Sequence, residues 1–382
     1  MELYIHIPFC VRKCTYCAFD SFAGRPRNEM EQYLSYVLRE ASQRARMISV
    51  PIETIYIGGG TPSLIPPDLL EYFLASIREI LDLSAVTEFS IEANPGTVSE
   101  DWLSTAFRYG ANRISFGVQA VQNHLLETLG RIHQFSDAAK SVNLARKCGF
   151  RNINTDLIFG IPGQTMDFWQ ETLAKVISLS PTHISAYGLI PEEGTPLFRG
   201  LQSGLLSLPD PDLERDMYDT VITHLQSAGF QQYEISNFAL PGSECLHNIG
   251  YWSQVPYIGL GLSAASMILS ENKKLFSVRW TNPSVLDEYY ALVDNPAQLA
   301  GIQEDIAPDE ARFETIMLSL RMTKGMNRER FKALHGDFPE HWYKSVLFRL
   351  RSQDLLELEN DNWKLTRRGM DIQNQVLLEF MD

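Results

Sequence analysis

Cys10-Val-Arg-Lys-Cys14-Thr-Tyr-Cys17 sets three of the chain's five cysteines within eight residues, in the spacing C-x3-C-x2-C. A loop this short brings several thiolates to one small object, and soft thiolates select zinc or iron–sulfur clusters. Structural zinc sites and ordinary clusters take four protein ligands. No fourth cysteine or spaced histidine stands nearby to complete the set. Three thiolates on a four-iron–four-sulfur cluster leave one iron open to another molecule. The competing readings are a zinc knuckle that borrows a distant ligand, and unrelated buried cysteines.

Outward from this loop, short β-rich apolar runs alternate with longer amphipathic helical patterns, which predicts an α/β fold of βα units around a parallel sheet. Strands are expected near Leu3–Ile7, Thr54–Ile57, Glu88–Ile91, Arg113–Phe116, Asn154–Ile158 and His183–Tyr187. Helices are expected over Glu29–Met47, Asp68–Leu81, Glu100–Tyr109, Ser136–Cys148, Met166–Ser178 and Asp212–Ala228. Six units fall short of the eight in a closed (β/α)8 barrel. In barrels of this kind the chemistry sits on the loops that follow the strands. The glycine and polar motifs of this chain fall at those points: the cysteine loop, Gly58-Gly59-Gly60-Thr61-Pro62, Glu92-Ala-Asn94-Pro95, Gly117-Val-Gln119, and Asp156 running into Gly160-Ile-Pro162-Gly163. Five such loops at one end of a barrel predict one composite site.

The residue types suit small-molecule binding. Glycines beyond a strand let backbone approach a ligand closely, though a tight turn alone also explains three glycines. Glu92 at a strand end can accept hydrogen bonds, or serve as a helix-cap partner. Arg131, in Gly130-Arg131-Ile-His133, can clamp a carboxylate in bidentate fashion, or simply end a surface helix.

C-x3-C-x2-C followed by an aromatic resembles the radical S-adenosylmethionine (SAM) superfamily. Tyr4-Ile-His-Ile-Pro-Phe-Cys10 narrows the resemblance to the anaerobic coproporphyrinogen III oxidase-like family and its heme chaperone branch. The resemblance implies a partial (β/α)6 barrel, a four-iron–four-sulfur cluster on Cys10, Cys14 and Cys17, and SAM bound at the open iron. It further implies SAM contacts at Tyr4, Gly59, Gly60, Thr61, Glu92, Gln119, Arg131 and Asp156, the last three shared with a second SAM or a substrate. Oxidases of the family extend the cluster motif with a further cysteine where Phe19 stands here, and carry more chain before the cluster than the nine residues preceding Cys10. Both differences favour the chaperone branch over an enzyme that decarboxylates propionates.

A second dense segment, Cys245-Leu-His247-Asn248-Ile-Gly-Tyr251-Trp252, is flanked by Gly and Pro and reads as a loop. Histidine is a common axial ligand of heme iron, and aromatic rings can stack on a flat macrocycle. The bland alternative for His247 is a hydrogen-bonded core residue. H-N-x-x-Y-W resembles the motif of the heme chaperone branch, which implies heme as a third cofactor, with His247, Tyr251 and Trp252 as its contacts and hemoproteins as recipients. Family members commonly carry a histidine where Ala265 falls, so a second axial contact there is in doubt.

The segmentation predicts a barrel over 1–230, an extension over 231–306, and a C-terminal winged-helix-like module over 307–382. In that module, helices at Ala311–Arg321, Arg328–Leu334 and Glu340–Arg351 precede a hairpin turning at Asn360-Asp361-Asn362. Residues 301–382 hold 12 Lys and Arg against 15 Asp and Glu, and the whole chain carries a formal charge of −14, a poor surface for phosphates. Nucleic acid is therefore excluded as the main partner, and a lid or partner-binding role is expected. No signal peptide and no transmembrane-length apolar run is visible. With three free thiols this predicts a cytoplasmic protein, open to peripheral membrane contact.

Overall fold

The computed structural model describes residues 1–272, 274–295 and 302–381. Six parallel strands form the frame: β1 (Glu2–Ile7), β2 (Thr54–Gly59), β3 (Glu88–Ala93), β4 (Arg113–Gln119), β5 (Asn152–Phe159) and β6 (His183–Gly188). The helices between and after them are α1 (Arg27–Arg44), α2 (Pro67–Ile80), α3 (Glu100–Arg108), α4 (Phe135–Lys147), α5 (Met166–Ser178) and α6 (Pro211–Ser227). Each lies within a few residues of the expected span.

Beyond these come β7 (Gln231–Gln232), β8 (Asn237–Ala239), β9 (Tyr257–Leu260), β10 (Ala265–Leu269), β11 (Ser277–Thr281) and β12 (Ile302–Ile306). The sheet order is β12-β11-β10-β9-β1-β2-β3-β4-β5-β6-β8-β7. The barrel is thus open, as expected, but β9 adds a seventh parallel strand beside β1. That strand is not among the six expected from the sequence.

Successive side chains of a strand point to opposite faces. In β1, Leu3, Ile5 and Ile7 join the large apolar core with the helices, while Glu2, Tyr4 and His6 take the other face. The same alternation gives the barrel interior Tyr56, Glu92, Ser115 and Asp156, so the lumen is polar. The polar residues of the lumen follow from this strand register as much as from the loops.

A separate apolar cluster that includes Ile316, Phe331, Leu350 and Trp363 lies in the C-terminal region. It packs helices against a three-stranded sheet whose hairpin joins Leu356–Glu359 to Asn362–Leu365. Asn360 and Asp361 take the left-handed backbone that the turn requires, as the Asn-Asp-Asn pattern predicts. Among the described residues no helix is long and apolar enough to cross a membrane.

Candidate functional site

The cysteine loop is pinned at several points. Phe9–Cys10 pairs with Phe22–Ala23 and closes its base. The Thr15 N–H donates to Leu129 O at 3.0 Å, and the Thr15 hydroxyl to Thr128 O at 2.8 Å. Cys10, Cys14 and Cys17 are free thiols, each half-buried, and all three line one cavity of about 380 Å³. Among the described residues no three His, Cys, Asp or Glu side chains converge tightly enough for a single metal ion. Three thiols spread around one cavity suit a multi-iron cluster better than a zinc knuckle.

Two of these sulfurs are joined by one hydrogen-bonded chain. Thr61 Oγ1 lies 3.7 Å from Cys10 Sγ and accepts from the Asn94 amide at 2.8 Å. Asn94 Oδ1 accepts from the Arg131 guanidinium at 2.7 Å, and Arg131 donates onward to Cys14 Sγ at 3.4 Å and to Gly117 O at 2.7 Å. Donors aimed at sulfur stabilise thiolate, so the donor set fits a thiolate-held cluster. Arg131 is therefore a buried clamp and not a surface helix terminus, and its Nε has no partner. Asn94, quoted in the strand-three motif but not assigned a role, is the hub of the chain.

Glu92 accepts from the Tyr56 hydroxyl at 2.7 Å and from Gly59 N–H at 3.1 Å. Burial pushes its carboxyl up to about 7, against the lowering effect of the Tyr56 bond. Asp156 accepts from the Ser115 hydroxyl at 2.7 Å and the Asn154 amide at 2.8 Å. Gln119 holds a left-handed backbone, φ 67°, where the β4–β5 register shifts. Its Oε1 is buried without a partner. Strain and an orphaned acceptor together are the mark of a ligand site. Gly59, Gly60 and Thr61 complete this wall, so seven of the eight residues expected at SAM border the cysteine cavity.

Tyr4 does not. It lines a second, larger cavity of about 610 Å³, with Tyr251, Trp252, Tyr257, Met267 and Ala265. Its hydroxyl donates to His6 Nδ1 at 3.0 Å, because His6 Nε2–H is committed to the Asp20 carbonyl at 3.0 Å. Phe19, 66% exposed, borders both cavities.

The second segment departs from its expected form. Residues Leu246–Trp252 form a helix, α7, not a loop. Its N-terminus is capped from afar: the Glu88 carboxylate accepts the N–H groups of Leu246 at 2.8 Å and His247 at 3.2 Å. Glu2, Thr54 and Glu88, the first residues of β1, β2 and β3, all meet α7, which therefore closes the barrel end opposite the cysteine loop. His247 is 1% exposed. Its Nδ1 lies 2.8 Å from Thr54 Oγ1 and its Nε2 3.1 Å from Tyr251 Oη. Burial drops the imidazole to about 3. Both ring nitrogens are thus hydrogen-bonded within the protein, and the ring is not among the residues that border the larger cavity. It orients Tyr251, which with Trp252 faces the larger cavity.

The Radical SAM superfamily pattern matches residues 4–176, and the HemN C-terminal domain pattern matches residues 306–372. The heme chaperone HemW of Bacillus subtilis (strain 168) is 34% identical over 380 residues, covering 99% of this chain and 98% of the relative. HemW of Lactococcus lactis subsp. lactis (strain IL1403) is 35% identical over 384 residues, covering 99% and 96%. HemW of Escherichia coli (strain K12) is 34% identical over 383 residues, covering 100% and 98%. Among solved structures, coproporphyrinogen III oxidase (HemN) from Escherichia coli superposes with a TM-score of 0.83 at 23% identity, covering 99% of this chain and 89% of that one. That likeness is one of fold. Full-length identity to the chaperones, together with the three-cysteine loop and the polar barrel lumen, shows that the chain belongs to the HemW family of radical SAM proteins.

Proposed function

We propose that the chain is a heme chaperone that holds heme in the larger cavity and passes it to recipient hemoproteins. The observation that carries this reading is the cavity itself. At about 610 Å³ it has the size of a small-molecule site, and its walls are mostly aromatic and aliphatic. Tyr251 and Trp252 supply faces for a flat macrocycle. The relatives that match along their whole length carry the name heme chaperone.

Cys10, Cys14 and Cys17 hold a four-iron–four-sulfur cluster in this reading, and SAM lies beside it against Gly59, Gly60, Thr61 and Glu92. The bound cluster supplies one-electron chemistry and an open iron. The chain's own residues hold and shield it. Arg131 and Thr61 direct donors at thiolates, and Asp156 and Gln119 offer acceptors to SAM or a second ligand. Glu92, once ionised, receives the SAM ammonium. Tyr4 serves the heme cavity in place of the SAM contact expected for it. A cytoplasmic, reducing setting suits three free thiols, and the chain acts as a carrier without turning over a tetrapyrrole.

The test is a hemin titration of the wild type and of Ala265→Trp, whose indole fills the cavity, followed by transfer to an apo-hemoprotein. Hemin binding lost in the variant and transfer by the wild type support the reading. Undiminished binding by Ala265→Trp overturns it. Anaerobic incubation of cluster-loaded protein with SAM, reductant and coproporphyrinogen III separates the alternative: a decarboxylated product formed over many turnovers makes the chain an oxidase.

A further inference from the structure

The larger cavity is aromatic, but it is not featureless. Among the residues that line it, Arg279 carries the one permanent positive charge. His6 also lines the wall, and burial keeps it neutral by lowering its pKa. Trp252 lines the cavity as well. A ligand matched to these walls has a flat apolar body and at least one anionic group.

The anion's place is at present taken by the protein. Arg279, on β11, donates to both carboxylate oxygens of Glu314 at 3.1 and 2.8 Å. Its other terminal nitrogen lies 3.5 Å from Glu304. Glu314 belongs to α8 (Pro308–Ser319), which opens the C-terminal module, and Leu318 of the same helix also lines the cavity. The module thus supplies the cavity's outer wall, and an ion pair ties that wall to the sheet. Arg279 is 30% and Glu314 16% exposed. Partly hydrated pairs of this kind contribute little net stability, so a ligand carboxylate can replace Glu314 at small cost. The guanidinium can donate to either carboxylate equally well.

We propose that Arg279 is the carboxylate receptor of this cavity and that Glu314 competes with the ligand for it, so that filling the cavity loosens the C-terminal module. The inference rests on the reading of this cavity as the heme site, whose macrocycle bears propionate carboxylates. It assigns heme a fixed orientation, carboxylates toward β11 and the module. It also gives release a mechanism within the chain: Glu314 returning to Arg279 displaces the carboxylate it replaced.

The experiment compares hemin with hemin dimethyl ester, in which both carboxylates are blocked, by equilibrium titration of full-length protein. Wild type should bind hemin about tenfold more tightly than the ester, as a charge-assisted pair requires. Arg279→Gln should bring that ratio close to one. Glu314→Gln should tighten hemin several-fold and leave the ester unchanged. Misfolding weakens both ligands together and cannot produce opposite effects in the two variants. A hemin-to-ester ratio that survives Arg279→Gln overturns the proposal, and so does weaker hemin binding by Glu314→Gln. The Ala265→Trp variant separates this failure from that of the cavity. If it loses both ligands while Arg279→Gln keeps the ratio, only the carboxylate assignment falls. If it loses neither, the cavity reading falls as well.

Discussion

Arg131 donates to the sulfur of Cys14 at 3.4 Å across 117 residues of chain, so the loop after β4 reaches back to hold the loop after β1. The guanidinium is a fixed positive charge beside a sulfur proposed to hold the cluster. Charge and hydrogen bonds at the sulfurs tune cluster potential. Arg131→Gln should lower the cluster's reduction potential, since the reduced form carries the extra electron that Arg131 favours. A shift on the order of 59 mV, one tenfold change for a one-electron couple, is expected in a SAM-free redox titration. An unmoved potential would leave Arg131 a purely structural clamp.

If Glu92 holds SAM as proposed, SAM binding follows its titration. Burial raises its carboxyl to about 7, so it is ionised above that pH and neutral below. Binding a cationic ammonium needs the ionised form. SAM affinity should therefore fall by up to about tenfold per unit as pH drops below about 7, and level off above it. Glu92→Gln should bind SAM weakly and with a flat profile. If that variant keeps the wild-type slope, another group controls the titration.

His247 sets a pH dependence of stability. Burial, with the Arg113 charge second, lowers its pKa from 6.5 to about 3. Between those values the unfolded chain takes up a proton that the folded chain refuses, so stability falls as pH is lowered through that window. His247→Asn should reduce this slope by up to about 1.4 kcal/mol per unit, seen in denaturant melts near pH 5 and pH 6.5. The variant should also cost about 2 kcal/mol at neutral pH, because the buried Thr54 and Tyr251 hydroxyls lose their partner. Hemin binding should weaken with the loss of Tyr251's tether, and the cluster spectrum should not change.

Two glycines make a matched pair. A Cβ at Gly60 would lie 2.7 Å from Phe9 O and 2.9 Å from Ile7 O, backbone atoms that cannot step aside. Gly60→Ala should therefore displace the entry to the cysteine loop and reduce cluster retention. Gly163 also sits after a strand, at φ +83°, but nothing lies within 4 Å of its Cβ position. Gly163→Ala should cost only the backbone strain, about 1–2 kcal/mol, and retain the cluster. Iron counts after reconstitution distinguish them.

The strands and helices of the barrel were legible because their periodicity is local. Met166–Ser178 is recovered residue for residue, helped by the Thr165 cap. The cavity wall was legible because its residues end strands. What escaped depends on partners far along the chain. α7 has no cap of its own and contains Gly250. Its cap is Glu88, and Gly250 is needed because a Cβ there would fall 1.6 Å from Glu2 Oε1. Asn94 gave no signal beyond its motif because its partners, Thr61 and Arg131, lie on other loops. The hydrogen bonds of His247 were out of sight because a sequence does not reveal Thr54 and Tyr251 on either side of its ring. β9 was not expected because its pairing strand is more than 250 residues earlier.

That pairing bears on how the protein is made. β1 lies between β2 and β9, so one of its edges stays bare until residues 257–260 leave the ribosome. Every element that walls the cysteine cavity precedes residue 191, whereas the larger cavity needs β9, β10, β11 and α8. Contacts of such sequence separation form late, after a long loop has closed. The half that walls the cysteine cavity is therefore the first product of synthesis, and the half that walls the larger cavity its last. A nascent chain halted before residue 257 would expose its thiols on a sheet with an unsealed edge, the form most open to cluster delivery and to aggregation alike.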